Sequence, residues 1–364
     1  MGTNVKQHYY WLDALRFAAA FLVILSHSRN NFLVPFYDLP ADARGLGAVF
    51  VYTLCRVGHE AVVVFFVLSG FLVGGRGLER ISSKSFGLAN YTIDRFCRIM
   101  PPLVVSVILW LLVNSILGNE CDWLCALGNV LSLQGICCES LVGPFWSLSY
   151  EVWFYILLGT IGLSLSSKEV TRRFGFVAFF IVILIFTLFL KPHYLMIWLM
   201  GALAYLNRPK KRSTVILALS CVGILIGIIM WQVTKESRSF VFPSFNIGKE
   251  GIEVFLSLMM SIFIQQVILF PPQKAFSRFV EKTLGSMAKF SYTLYLSHET
   301  VFLVLFAIGF KRNQAILDFR GSLLFICFIS LTIFLCWVIY LFSERYSVPL
   351  KQWVKKKLSI DQFS

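Results

Sequence analysis

Arg16 and His27 stand eleven residues apart in LDALRFAAAFLVILSH, within the first apolar run of the chain. On a helix that spacing closes three turns to within about 20°, so both side chains share one face, about 16 Å apart along the axis. Ionisable groups inside a bilayer cost at least about 2.5 kcal/mol each, so each needs a reason. Histidine suits a general base, because its ordinary pKa of about 6.5 lies near working pH. The plainer alternative is that Arg16 snorkels and pairs with Asp13, while His27 only packs. In GPFWSLSYEVWFY, Ser147 and Glu151 share a helical face. Glu151 would lie about 10 Å below the outer end of its helix. That matches the depth of His27 on a helix running the other way, so Glu151 is the carboxylate expected to orient the imidazole.

Arg95 and Arg98, in YTIDRFCRIMPPL, also share a face, just before Pro101-Pro102. Guanidinium forks suit phosphate oxygens. The same pair also fits an ordinary cluster of cytoplasmic positive charge. Ser69-Gly70, in FFVLSGFLVGG, lets two helices approach closely. Ser69 and Ser147 are the candidates for steadying an oxyanion. His59 and Glu60 read as interfacial residues capping that helix at the outer face. His298-Glu299, in SYTLYLSHETV, is a weaker case near mid-helix, from which one side chain would face a cavity. Glu344, beside Arg345, reads as a structural pair.

These residues need helices embedded in a membrane to position them. Of 364 residues, 57% are hydrophobic and 14% charged, with 36 Phe and 9 Trp; soluble domains run to about 45–50% and about 25%. Mean hydropathy is +0.75. This composition excludes a disordered chain and a small disulfide scaffold. The net charge of +14 does not indicate nucleic acid, because the basic residues sit in short groups between apolar runs. A bilayer core needs about 20 apolar residues per helix. Ten segments qualify or come close: 10–30, 58–79, 99–118, 144–165, 174–190, 193–207, 214–234, 250–270, 288–310 and 322–344. The fifth and sixth are short and meet at Lys191-Pro192-His193, as a hairpin or a kinked pair. Residues 17–25 could pass for a signal-peptide core, but the weak positive charge before them favours a retained helix.

The fold expected is therefore an all-α polytopic integral membrane protein of about ten helices, a single membrane-embedded domain over 1–364 with no appended soluble domain. With the N-terminus placed in the cytoplasm, 21 Lys and Arg fall on that side and 10 on the other, which puts both termini in the cytoplasm. The 119–143 loop carries no Lys or Arg and is expected outside. Its Cys121, Cys125, Cys137 and Cys138 would face a compartment where a disulfide persists. No histidine at ligand spacing accompanies them, so no metal is expected. Cys55, Cys97, Cys221, Cys327 and Cys336 read as small packing residues.

Taken together, the motifs resemble the membrane acyltransferase family 3. Arg16-x10-His27, Arg95-x-x-Arg98, FFVLSGF at 65–71, FWSLSYE at 145–151, YTLYLSHE at 292–299 and SERYSVP at 343–349 all look like family segments, and together they span most of the chain. The resemblance implies a ten-helix enzyme of the cell (inner or cytoplasmic) membrane. It implies a cytoplasmic acyl-CoA donor, usually acetyl-CoA, as substrate with no bound cofactor. It implies an acceptor hydroxyl on a cell-surface glycan or lipid-linked sugar, and it makes His27 the catalytic residue. On that reading Arg95, Arg98 and Arg16 hold the CoA phosphates. His27, as base or acyl relay, is oriented by Glu151, and Ser69, Ser147 or His298 complete the pocket. The competing class is a secondary transporter or flippase with a polar intramembrane site, against which no paired halves are visible. The four-cysteine loop is no part of the family pattern.

Overall fold

The computed structural model describes residues 9–236, 248–269 and 278–358, with the side chains of 235–236 and 278–284 left aside. Lys6, Arg238 and Lys274 of the charge count, and residue 270 of the eighth segment, lie outside the described residues. Each of the ten predicted segments overlaps helix over most of its length among the described residues. In chain order the helices are α1 (Tyr10–Phe32), α2 (Leu46–Leu54), α3 (Gly58–Ser69), α4 (Arg76–Ser82), α5 (Leu88–Ile116), α6 (Trp123–Val130), α7 (Phe145–Ser164), α8 (Glu169–Leu188), α9 (Pro192–Leu206), α10 (Thr214–Glu236), α11 (Lys249–Val267), α12 (Arg278–Ala307), α13 (Phe319–Phe342) and α14 (Ser347–Lys357). No strand occurs among the described residues, and the chain is an all-α polytopic membrane protein.

Among the described residues, seven helical stretches are long and apolar enough to cross a bilayer on their own account. The helices α7 and α12 are not among them. Both bury several polar side chains, Ser147, Ser149, Thr160 and Ser164 on α7 and Ser291, Thr293, Ser297, His298 and Thr300 on α12, as α11 does with Glu253, Ser257, Ser261 and Gln266. Polar groups turned inward lower a helix's mean apolarity without exposing it to lipid. At the other extreme, α8 and α10 present Phe174, Phe180, Leu184, Leu219, Leu225 and Ile229 on the outer surface of the bundle. In a bilayer such surfaces face acyl chains, and the helical backbone satisfies its own hydrogen bonds.

The first helix packs on α3, α12 and α13, while α5 packs on α12 and α14 and α7 on α8. Asp94 of α5 binds Lys351 at 2.8 Å and Lys355 at 3.3 Å, which fastens α14 across the mouth of the bundle. Between α3 and α4 the chain passes through a π-helical turn, Gly70–Gly75. Wide turns of this kind arise where a regular helix cannot satisfy its neighbours. Here the neighbour is α9: a Cβ on Gly70 would lie 1.9 Å from the Trp198 carbonyl oxygen, and one on Gly201 would lie 2.1 Å from that of Val67. The close approach expected of Ser69-Gly70 is thus made to α9, backbone against backbone.

Two expectations for charged residues change. His59 does not merely cap α3; it pairs with Glu253 of α11, stacks on Trp231 at 4.5 Å, and shares that carboxylate with His193, 2.8 Å away. The buried Glu253 thereby joins α3, α9 and α11. Glu344 turns inward instead of toward Arg345 and accepts hydrogen bonds from the Thr293 backbone N–H (3.0 Å) and hydroxyl (2.9 Å).

Candidate active site

A cavity of about 370 Å³ opens between α1, α3, α5, α7 and α12. Its wall includes four arginines, Arg16, Arg76, Arg95 and Arg98, against two carboxylates, Asp13 and Glu151. Arg16 donates to Asp13 at 3.1 Å, the pairing expected from their spacing. The helix α5 runs unbroken through Pro101 and Pro102, so Arg95 and Arg98 stand on a regular helix. Arg95 sits 5.5 Å over the Tyr155 ring, and its Nε is buried with no hydrogen-bond partner. A buried donor of this kind is costly until an acceptor arrives. The excess of guanidinium groups and the unspent donor fit a ligand rich in phosphate oxygens.

Glu151 lies in this cavity and not beside His27. It accepts a hydrogen bond from the Tyr155 hydroxyl. Tyr155 in turn meets the Ser69 hydroxyl at 3.2 Å, and Ser69 accepts from Trp198 Nε1 at 3.3 Å. Ser69 is therefore tied into the cavity wall with Glu151. Ser147 shares a 2.7 Å hydrogen bond with Tyr295 and donates to the Pro144 carbonyl at 3.2 Å.

The carboxylate that meets His27 is Glu299. His27 Nδ1 is hydrogen-bonded to one Glu299 oxygen, and the other accepts the Gly143 backbone N–H at 2.8 Å. The expected Glu151 partnership is corrected for a simple reason. The chain enters α7 through residues 143–144, and it is Gly143 that lies level with His27, while Glu151 lies two turns deeper. With Nδ1 held by the carboxylate, the Nε2 lone pair of His27 is left for a substrate proton.

His298 completes this cluster. It is fully buried, its ring stands edge-on to His27 at 5.1 Å, and its Nδ1 donates to the backbone oxygens of Leu294 (3.1 Å) and Tyr295 (2.9 Å). Its Nε2 is buried and has no hydrogen-bond partner. The ligand atoms of His27, His298 and Glu299 lie within 4.8 Å of one another, the one grouping among the described residues sized to hold a metal ion. Of these three, His27 and Glu299 are hydrogen-bonded to each other.

Tyr295 joins the two ends. It lines the arginine cavity, bonds Ser147, and places its ring 6.3 Å from His298. Arg76, Tyr155, Tyr295 and Gly143 are residues of the site that sequence reasoning did not single out, and Glu299 was raised only as a weaker case beside His298. The signal for Glu299 was an acidic residue in mid-helix next to a histidine.

An arginine-lined cavity and a histidine–carboxylate pair, bridged by Tyr295 inside a helical membrane bundle, define a polytopic membrane protein with chemistry-bearing groups in its interior. The chain belongs to acyltransferase family 3: the family's model, described as an acyltransferase domain, matches residues 9–341. It is accordingly a transferase of acyl groups. No curated protein and no solved structure matched the chain.

Proposed function

We propose that the protein transfers an acyl group, most simply acetyl, from cytoplasmic acyl-CoA to a hydroxyl of a cell-surface or lipid-linked glycan. The observation that carries this reading is the pairing of two unlike sites along α1: four arginines at one end and the His27–Glu299 pair at the other. Arg95, Arg98 and Arg16 bind the nucleotide phosphates. The extended pantetheine arm, of order 15–20 Å, spans the separation of about 16 Å that helix rise gives between Arg16 and His27. The thioester carbonyl then lies near the Ser147–Tyr295 pair. An acceptor hydroxyl approaches His27, and Nε2 takes its proton as the oxygen attacks the carbonyl carbon. The tetrahedral intermediate collapses with loss of the CoA thiolate, which recovers a proton from the imidazolium. Glu299 fixes the ring and stabilises its cationic form. Ser147 and Tyr295 are the hydroxyls placed to donate to the oxyanion.

The reading further places the enzyme in the cytoplasmic membrane with both termini inside. Its test is transfer of label from radiolabelled acetyl-CoA to a crude surface-glycan fraction by the protein in nanodiscs, with His27→Ala beside it. Label that appears only with the wild type supports the reading. No transfer and no CoA-ester binding would overturn it in favour of a transporter.

A further inference from the structure

Four cysteines in the connection between α5 and α7 take no part in the site just described. Cys121 contacts only backbone carbonyls, those of Leu111 and Asn119, each at 3.8 Å. The other three converge. Cys125 lies in the first turn of α6, where the Asp122 side chain accepts its backbone N–H at 2.9 Å. Cys138 returns over the same helix one turn later, at Gly128, where even an added Cβ would fall 2.6 Å from its sulfur. Positions 125 and 128 share a helical face. The Asn129 side-chain amide sits between the two sulfurs, 3.5 Å from that of Cys125 and 3.8 Å from that of Cys138. Burial, followed by the neighbouring sulfurs of Cys125 and Cys137, pushes the Cys138 thiol up to about 11. Both cysteines are free thiols in the structure.

We infer that Cys125 and Cys138 form a disulfide that fastens the 134–138 turn to α6. Cys137 is not the partner of Cys138, because a bond between adjacent cysteines closes a small ring that strains the peptide between them. Cys121 is turned away on other contacts. A metal is not the purpose of the cluster, since the thiols are not among the groupings close enough to hold one among the described residues.

The bond forms by exchange with a disulfide-bearing oxidoreductase on the loop's side of the membrane. One loop thiolate attacks the oxidoreductase disulfide and gives a mixed disulfide. The second loop sulfur displaces the oxidoreductase. The S–S bond of the loop replaces that of the donor, the electron pair leaves on the donor's two sulfurs, and the two loop thiol protons end there.

The bond bears on the site because of where the loop leads. Asn129 is fully buried and holds Glu139 O at 2.8 Å and Leu141 N at 3.2 Å. Gln134 reaches Phe145 O at 2.8 Å. Five residues after Cys138, Gly143 supplies the N–H that Glu299 accepts. Tying Cys138 to α6 shortens the free chain that leads to this donor.

The experiment is a mass map of full-length protein from membranes quenched with N-ethylmaleimide at lysis and digested without reductant. The expected result joins the Cys125 and Cys138 peptides with a mass lower by two hydrogens, retained in Cys137→Ser and lost in Cys138→Ser. N-ethylmaleimide on both Cys125 and Cys138 in unreduced wild type overturns the proposal, as does a link that survives in Cys138→Ser. The map stands whether or not the proposed acyl transfer is correct. Where transfer is measurable, reductant is expected to lower the wild-type rate several-fold while leaving a Cys125→Ser/Cys138→Ser double variant at one reductant-independent rate. Equal sensitivity of that variant would overturn the link to the site.

Discussion

Replacing Glu299 by Gln separates two carboxylates that the sequence makes look equivalent. The substitution keeps the shape of the side chain and removes its charge. Glu299 accepts from His27 through one oxygen and from Gly143 N–H, at 2.8 Å, through the other. The imidazolium formed during proton transfer would lose its counter-charge. A hydrogen bond to a charged group is worth about 1.5–3 kcal/mol. At about 1.4 kcal/mol per factor of ten, the rate of the chemical step should fall by about 10–150-fold. A glutamine that turns its NH2 group toward Gly143 would also lose that bond, which pushes the effect to the upper end. Glu151→Gln is the control. Glu151 meets Tyr155 and the arginine cavity, not the histidines. Its loss should leave the chemical step within about 5-fold, as expected for one hydrogen bond of ordinary strength, and should act on KM for the acyl-CoA. The assay is single-turnover transfer from labelled acetyl-CoA in nanodiscs, with CoA-ester binding measured in parallel. A Glu299→Gln protein that binds donor and transfers at the wild-type rate, beside a Glu151→Gln protein that does not transfer, would refute the reasoning and return the orienting role to Glu151.

Arg95→Gln and Arg98→Gln should each raise KM for acyl-CoA by about 10–100-fold, from the loss of one charge-assisted phosphate contact, with kcat much less affected; a fall confined to kcat would show that these arginines do not hold the donor. Gly201→Ala places a Cβ 2.1 Å from the Val67 carbonyl oxygen, and since overpacking against backbone costs about 1–3 kcal/mol or more, the thermal midpoint in nanodiscs should drop by about 5 °C. Gly47→Ala, with open space around it, should leave that midpoint unchanged, and equal behaviour of the two would contradict the close α3–α9 contact. In reduced protein, the Cys138 thiol, raised from 9.0 to about 11, stays protonated in the fold. Maleimide labelling at that site should therefore be about 100-fold slower than at an ordinary thiol near pH 8, should climb about tenfold per pH unit toward pH 11, and should recover on unfolding; a rate already level at pH 8 would show that Cys138 is not buried against Cys125.

Helix positions were legible because a membrane span announces itself in composition, and the Arg16–His27 face was legible because helical periodicity is local. Arg16 and Asp13 are three residues apart and meet as their spacing requires. Partners on different helices are another matter. His27 and Glu299 lie 272 positions apart, and no spacing in one sequence reports that contact. The depth argument for Glu151 counted turns from the end of α7 as though every helix began at the same level. The entry to α7 instead dips to the height of His27, and Gly143 takes the place assigned to Glu151. A backbone N–H has no side-chain signature, so nothing in the residue type of Gly143 marks it as a partner of Glu299.

The same limit explains the polar helices. Among the described residues α7 and α12 are not among the helices apolar enough to span alone, and α12 contributes His298, Glu299 and Tyr295 while α7 contributes Ser147 and Glu151. A helix that lines a polar interior site must give up apolar residues on its inner face, and α12 pairs this with a fully buried His298 and Thr293. Weak hydropathy in mid-bundle is thus itself a pointer to the site once neighbouring spans are strong. Applied to this chain, that criterion selects 144–165 and 288–310 ahead of 99–118, and so draws attention to Glu299 as well as to Glu151.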